Sequence, residues 1–284
     1  MRTLLTFVAI LGSLVSGWAA TTIDAANRNG YGANIGWLDW RGNTSSGAVI
    51  GEYVCSGYLY AANVGWINLG SGAPANQIQY QNNSAADCGV NQDGTGKLTG
   101  YAYGANIGWI SFEQTYGQPR VDLFTGKMSG SVYSANCGWI SLSNVFAYVQ
   151  TDLIQKGAPA PNGLPIAWLL QNFGTINVDA NADPDGDGTS NAQEYLAGTD
   201  PNNSASNLRI TNYARNLATG TNAFTWSGVP SRFYALQTNS ALANPVSWAD
   251  RFTSTTPGIV SFSAVDLTPT NNFYRVRAFR PLMP

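Results

Sequence analysis

The chain has 284 residues, of which 44% are hydrophobic and only 11% are charged, with a formal net charge of −2 and no histidine. The low charge and the lack of any lysine and arginine cluster argue against nucleic-acid binding. The absence of histidine excludes Ser-His-Asp and Cys-His catalysis and histidine-ligated zinc. Many glycines and aromatic residues beside few charged ones favour short β-strands joined by tight turns.

Residues 1–20 have the features of a secretory signal peptide. Arg2 supplies the positive charge, residues 4–15 form an apolar core, and Gly17-Trp18-Ala19 gives a small-x-small cleavage context. The apolar run is short for a bilayer, and no second such segment follows it. We expect an exported protein, secreted or at the cell surface, without a transmembrane segment in the mature chain. The alternative is an N-terminal anchor helix.

A phrase of the form Tyr-x-Ala-Asn-x-Gly-Trp occurs four times between residues 21 and 150. Its tryptophans are Trp37, Trp66, Trp109 and Trp139. Recurrence at about 30 residues indicates one supersecondary unit that is copied and stacked against its neighbours. We therefore expect a domain of four antiparallel β-repeats.

Each copy contains a strand with period-two alternation after its Asn. One set of alternating positions is apolar, and we expect it to face the core. It consists of a glycine, then Leu or Ile, then a large apolar residue. The set that carries the tryptophans begins with Ile, Val or Cys, ends in a polar residue and should be half exposed. Thr95-Gly96 and Thr125-Gly126 are typical of hairpin turns in which glycine adopts a positive φ. The Asn of each phrase is expected to adopt the left-handed conformation in the turn.

Two interpretations of the tryptophan face stay open. The rings could staple successive hairpins, since aromatic cross-strand pairs stabilise sheets. They could instead form a platform for a sugar or polymer, because a planar ring beside a polar group suits a pyranose face. Coplanar, solvent-facing indoles would favour the platform, and buried indoles would exclude it.

The mature chain contains three cysteines, and export permits a disulfide. Cys137 stands where the other copies have Ile or Val, so we expect a small buried hydrophobic side chain there. Cys55 and Cys88 are then the candidate disulfide pair. Three reduced thiols are the alternative.

Residues 151–205 join a Pro/Gly-rich connector to an acidic loop. The segment 157–165 has three prolines and two glycines, which favour an extended linker. A short apolar helix is predicted at 166–173, with Gly174 as its C-cap. A second helix is predicted at 190–197, ended by Gly198.

The acidic loop carries the most specific motif in the chain, Asp-x-Asp-x-Asp-Gly-Thr-x-Asn-x-x-Glu. Ca²⁺ requires six to eight oxygen ligands, and alternate positions on a curved loop direct oxygens to one point. The predicted calcium ligands are Asp183, Asp185, Asp187, the backbone carbonyl of Thr189, Asn191 and Glu194. An acidic, solvated turn is the alternative.

This loop and the residues through Pro201 resemble the calcium loops of dockerin-like and thrombospondin type 3 repeats in secreted bacterial proteins. The chain differs from dockerins in lacking a second paired loop, and from EF-hands in lacking a helix directly before Asp183. Asp179 and Asn181 continue the spacing upstream, as in thrombospondin-type repeats, and are candidates for a second ion. The resemblance implies calcium as cofactor, fixing the linker helix against a neighbouring domain.

Residues 206–284 contain six short alternating segments separated by turns rich in Asn, Pro, Ser and Gly. They predict a small antiparallel β-sandwich. The pattern resembles the fibronectin-type or immunoglobulin-like modules of exported bacterial proteins. The predicted strands are 208–213, 223–226, 233–237, 246–251, 259–262 and 273–277.

The sequence thus predicts a mainly β protein. Its predicted parts are a signal peptide (1–20), a β-repeat domain (21–150), a calcium-loop linker (151–205) and a β-sandwich (206–284). We expect a secreted, non-enzymatic structural or adhesion protein, whose partners would be extracellular polysaccharide or surface proteins. A carbohydrate-binding protein is the alternative. A glycan-active hydrolase is a third, for which the available acids are Glu52, Glu113, Asp39 and Asp122, with no spacing that selects a pair.

Overall fold

The computed structural model describes residues 21–42, 45–240, 248–265 and 273–283. The predicted signal peptide lies outside these residues. The fold is mainly β with antiparallel sheets, as the sequence predicted. No helix in the described part of the chain has the length and apolarity needed to cross a membrane.

The repeat region is built from short strands and one 3-10 turn at Ala85–Asp87. The strands are β1 (Ile23–Gly32), β2 (Gly36–Asp39), β3 (Val49–Ile50), β4 (Cys55–Ala61), β5 (Gly65–Ser71), β6 (Val90–Gln92), β7 (Leu98–Gly104), β8 (Gly108–Ser111), β9 (Arg120–Val121), β10 (Met128–Ser129), β11 (Ser131–Ser134), β12 (Gly138–Ser141) and β13 (Val149–Thr151).

Four hairpins, one from each repeat, form a sheet that closes on itself. The hydrogen-bonded order is β1-β2-β4-β5-β7-β8-β11-β12, and β12 pairs back with β1 through Tyr31 opposite Ser141 and Gly32 opposite Ile140. Closure pairs the edges that an open stack of hairpins would leave exposed. The four predicted hairpins are therefore arranged as a ring.

A second tier of short strands lies at the other end of the ring. β3 pairs with β4, β6 with β7, and β9 with β10, so each strand precedes its partner in the chain. In the first repeat, β13 from the end of the region takes this place and pairs with β1. The Thr151 hydroxyl also donates to the Thr22 carbonyl at 3.0 Å. The ring is thus closed by its first and last segments.

Equivalent positions of the repeats fill the interior of the ring. Two of the buried sets are on the face that the alternation predicted, whereas Ile35 and its equivalents, which alternate in phase with the exposed tryptophans, are buried as well. Trp40 and Phe112, from the first and third repeats, meet inside it with ring centroids 6.4 Å apart. Cys137 is buried, as expected from its place in the repeat. The equivalent buried sets are Ile35, Val64, Ile107 and Cys137; Leu38, Ile67, Ile110 and Ile140; and Trp40, Leu69, Phe112 and Leu142.

The turn of each repeat differs from the prediction in one respect. The left-handed conformation belongs to the glycine before each tryptophan, with φ between 71° and 80°, and not to the Asn. Each Asn side chain instead donates from Nδ2 to a carbonyl in the turn of the neighbouring repeat, at 3.0–3.2 Å. The nearest atom to a Cβ added at this glycine is an Asn amide nitrogen, and no aromatic ring lies within 4 Å.

Two helices follow the ring. α1 (Ile166–Phe173) ends at Gly174 with φ 68°, and α2 (Asn191–Ala197) ends at Gly198 with φ 78°, as predicted. At the start of α2, the Gln193 side chain accepts the Ser190 N–H at 2.9 Å. The indole of Trp168 lies edge-on to Tyr195, with centroids 5.7 Å apart, in a small core between the helices.

The C-terminal strands form two three-stranded antiparallel sheets around one core. The orders are β14-β15-β18 and β17-β16-β19. Phe252 and Phe262, from opposite sheets, stack at 4.1 Å. The strands are β14 (Ile210–Asn216), β15 (Thr221–Trp226), β16 (Phe233–Asn239), β17 (Ala249–Thr253), β18 (Ser261–Val265) and β19 (Phe273–Phe279).

Candidate metal centre and module junction

Three of the predicted metal ligands come together in the loop before α2. Carboxylate oxygens of Asp183, Asp185 and Asp187 all lie within 4.8 Å of one another. Three like charges at this separation repel one another in the absence of a cation. This triad could hold a metal ion.

The loop holds these aspartates in place through its own backbone. Asp183 accepts the N–H groups of Gly186 at 2.9 Å and Gly188 at 2.8 Å, and these bonds lower the pKa of its carboxyl. Asp185 and Asp187 each use Oδ1 to accept the N–H two residues further on. Their Oδ2 atoms are buried and have no hydrogen-bond partner. One oxygen of each of these two residues is therefore left for a ligand.

The last predicted ligand, Glu194, is fully buried on α2. Neither of its carboxylate oxygens has a hydrogen-bond partner. A buried carboxylate without partners is strongly unfavourable unless it is protonated or binds a cation. Burial, followed by the charge of Asp185, raises the pKa of Glu194 to about 7. The buried Glu194 carboxylate is therefore more favourable with a bound cation than in the metal-free protein.

Asn191 is the second fully buried residue of the predicted set. Its Nδ2 donates to the Asp179 carbonyl at 2.8 Å, while its Oδ1 is buried without a partner. The unpartnered oxygens of Asp185, Asp187, Asn191 and Glu194 are of the hard type that Ca²⁺ and Mg²⁺ prefer. The donor set therefore fits such an ion.

The remaining predicted ligands have less distinctive surroundings. The Thr189 N–H donates to Asp187 at 2.8 Å, which fixes this part of the loop. The exposed Asp179 carboxylate accepts the N–H of Asn181 at 2.9 Å and is not part of the triad. Asp179 and Asn181, the residues predicted for a second ion, thus lie next to the loop, and Asp179 is outside the triad.

The residue after Glu194 belongs to a buried polar cluster that the sequence did not reveal. The Tyr195 hydroxyl lies 3.0 Å from both carboxylate oxygens of Glu52, which follows β3 in the ring. Arg280, just after β19, forms an ion pair with Glu52 at 2.5 Å. Its guanidinium also lies 4.6 Å from the Tyr195 ring. Burial alone would lower the pKa of Arg280, but the charge of Glu52 outweighs the effect of burial, so the pKa is raised.

A second arginine binds the end of α2. Arg232, in the turn before β16, donates to the carbonyls of Tyr195 at 2.6 Å and Leu196 at 2.8 Å. A cation at the C-terminus of a helix satisfies free carbonyls and is favoured by the helix dipole. We call Glu52, Tyr195, Arg232 and Arg280 the junction cluster. It joins the ring, α2 and the C-terminal sheets.

The four repeat tryptophans lie on the outside of the ring, where each keeps 45–50% of its surface exposed. Each stands directly opposite the tyrosine of its own phrase, with ring centroids 4.8–5.0 Å apart. Because the sheet is closed, hairpins on opposite sides of the ring face different directions. The indoles are solvent-facing, but all four cannot form one flat platform.

The candidate disulfide is not present in the structure, where Cys55, Cys88 and Cys137 are free. Cys55 points into the ring interior, and burial raises the pKa of its thiol to about 12. Cys88 lies outside the core and donates to Asn82 at 3.1 Å. The two thiols therefore have different environments.

The acids considered for catalysis are engaged elsewhere. Glu52 is in the junction cluster. Glu113 accepts the N–H groups of residues 115–117, and Asp39 and Asp122 accept N–H groups in their own turns. Such bonds stabilise the loops between strands.

Comparison with protein-family models, with curated proteins and with solved structures finds no match to this chain.

Proposed function

We propose that this is an exported, non-enzymatic structural or adhesion protein whose modules are held together by Ca²⁺ bound in the loop before α2. The observation that carries the proposal is the fully buried Glu194, whose two oxygens lack partners beside the aspartate triad. In this proposal Asp183, Asp185, Asp187, Thr189, Asn191 and Glu194 supply the oxygens. The ion neutralises their charge and allows α2 to pack.

The position of α2 gives this ion a structural role. The charges of the loop aspartates act on Glu194, which lies outside their 4.8 Å group. The next residue, Tyr195, contacts Glu52 of the ring. The end of the same helix binds Arg232. Because metal binding stabilises only the folded loop, its binding energy also favours the junction that depends on α2. The export signal predicted at residues 1–20 agrees with a structural role. Extracellular calcium concentration hardly varies, so the site would stay occupied outside the cell.

The non-enzymatic part of the proposal is supported by the surroundings of the available acids. Glu52 has its ion pair with Arg280, and Glu113 caps three backbone N–H groups. A glycosidase needs two carboxylates across a cleft, free to act on a glycosidic bond. These two acids already have structural partners.

Calorimetric titration of CaCl₂ into chelator-treated protein tests the proposal. We expect one equivalent of Ca²⁺ to bind, and Glu194→Gln to weaken binding at least about tenfold, because charge and a bidentate ligand are lost. Asp200→Asn is the matched control, since Asp200 is a nearby acid outside the ligand set and caps Asn202. No calcium binding by the wild type, or equal effects of the two variants, would exclude the site.

A further inference from the structure

Two outward-facing positions of the four repeats are constant, whereas the buried positions vary. Tyr and Trp are the same in all four copies although they are 39–50% exposed. The equivalent buried positions vary, for example Trp40, Leu69, Phe112 and Leu142. Packing constrains buried side chains more than exposed ones. The constant aromatic pairs on the outside therefore require an explanation beyond filling the interior.

The second and third hairpins carry an additional tyrosine that the others lack. Tyr58 and Tyr101 lie on the same face as the pair, 6.3 Å from Trp66 and Trp109. Asn29 and Ser131 occupy the equivalent positions of the first and fourth repeats. Each of these two hairpins thus presents three half-exposed rings, with the tryptophan between two tyrosines.

These two hairpins are neighbours in the ring. Strand β5 pairs with β7, which places Asn68 directly opposite Tyr103 on the outer face. Neighbouring strands are about 4.8 Å apart, so β5 and β8, on either side of β7, are about 10 Å apart across the sheet. Trp66 lies two residues along β5 from Asn68, which is level with Tyr103 and its partner Trp109. We call the six rings the aromatic strip: Tyr58, Tyr60, Trp66, Tyr101, Tyr103 and Trp109.

The strip combines apolar faces with free hydrogen-bonding groups. No hydrogen bond joins the indole N–H or phenol O–H groups of the strip to another side chain or carbonyl of the described residues. Neither segment 55–71 nor segment 98–111 contains a charged residue, and Asp39, which lies opposite Tyr60 on the neighbouring strand β2, is paired with Arg28. A ligand here would gain stacking and hydrogen bonds without charge pairing, which disfavours polyanions and ionic protein surfaces.

We propose that the aromatic strip binds a neutral polysaccharide chain. The C–H faces of successive sugar rings would stack on Trp66 and Trp109, as apolar surfaces do on aromatic rings. Their hydroxyls would bond the free phenol and indole groups and the Asn68 amide between them. The strip lies on the ring and involves no calcium ligand, so this proposal stands or fails separately from the metal centre.

Pull-down of the full-length mature protein on cellulose, chitin and starch granules tests the proposal, with alginate beads as the polyanionic comparison. We expect retention on at least one neutral polymer. The double variant Tyr58→Asn with Tyr101→Ser should reduce that retention by about tenfold, since two aromatic rings that each contribute about 0.7 kcal/mol are lost. Both replacements copy residues that the chain itself uses at equivalent positions, so the ring should fold.

Trp37→Ala with Trp139→Ala is the matched control. It removes two equally exposed indoles outside the strip, and retention should stay within about twofold of the wild type. Circular dichroism and thermal melting verify that each variant is folded. Absence of wild-type retention on every neutral polymer, or equal losses in the two double variants, would overturn the proposal.

Discussion

The side-chain amide of Asn34 donates to the carbonyl of Cys137 at 3.0 Å and thereby joins the first repeat to the last. The other three asparagines make the same bond to the repeat before them, Asn63 to Ile35, Asn106 to Val64, and Asn136 to Ile107. Four equivalent bonds form a closed circuit around one end of the ring. The Asn of the repeated phrase therefore acts between repeats.

We predict that Asn34→Ala lowers the free energy of unfolding by about 1 kcal/mol, the usual contribution of one hydrogen bond. Asn63→Ala should lower the free energy of unfolding by a similar amount, although its bond joins two consecutive repeats and not the first repeat to the last. Urea unfolding of both variants gives the comparison. If Asn63→Ala destabilises the protein and Asn34→Ala does not, the ring is open between the first and last repeats.

Gly126 provides a second test of ring closure. Its φ is 76°, and a Cβ there would lie 1.9 Å from the Thr151 carbonyl of β13. Gly94 also has a positive φ, 81°, but an added Cβ meets no atom within 4 Å. We expect Gly94→Ala to cost about 1–2 kcal/mol from backbone strain alone, and Gly126→Ala clearly more. Similar unfolding curves for the two variants would contradict this packing of β13.

The junction cluster predicts a graded response to substitution. Tyr195→Phe removes the hydroxyl between the two Glu52 oxygens and should cost about 1.5–3 kcal/mol, because the lost bond involves a charged group. Arg280→Met should cost more, since it leaves Glu52 buried without its ion pair. Chemical unfolding measures both. A larger loss for Tyr195→Phe than for Arg280→Met would contradict the assignment of Arg280 as the main partner of Glu52.

The pH dependence of calcium binding follows from Glu194. Its pKa is raised to about 7 in the metal-free protein by burial and by the neighbouring aspartates. The protonated carboxyl must release its proton before it binds the ion. Calcium affinity should therefore fall as pH decreases through 7, and proton release should accompany binding near that pH. Calorimetry in buffers of different ionisation enthalpy measures the released protons, and binding without proton release near pH 7 would contradict the prediction.

Much of the local structure was predictable from the sequence. The alternation after each Asn predicted two of the three sets of residues that face the interior, and Gly96, Gly126, Gly174 and Gly198 adopt the positive φ that their contexts indicated. In the repeat turn, however, the left-handed residue is the glycine and not the Asn. Such features depend on neighbours within a few residues. The spacing of the acidic loop likewise predicted the Asp183, Asp185 and Asp187 cluster.

Long-range closure was not predictable from the same patterns. The repeat period is compatible with an open stack and with a ring, and pairing of β13 with β1 depends on residues more than 100 positions apart. The junction cluster had no sequence signal either, since Glu52 and Arg280 are separated by 228 positions. A buried ion pair between residues so far apart in the sequence becomes recognisable only in the folded structure.

Hydrogen–deuterium exchange of the full-length protein, with calcium and with chelator, tests the central claim most directly. If the ion holds the modules together through α2, calcium will slow exchange in the loop at 183–194 and also in the segments around Glu52 and Arg232. Protection confined to the loop, or no calcium-dependent protection at all, would contradict the account.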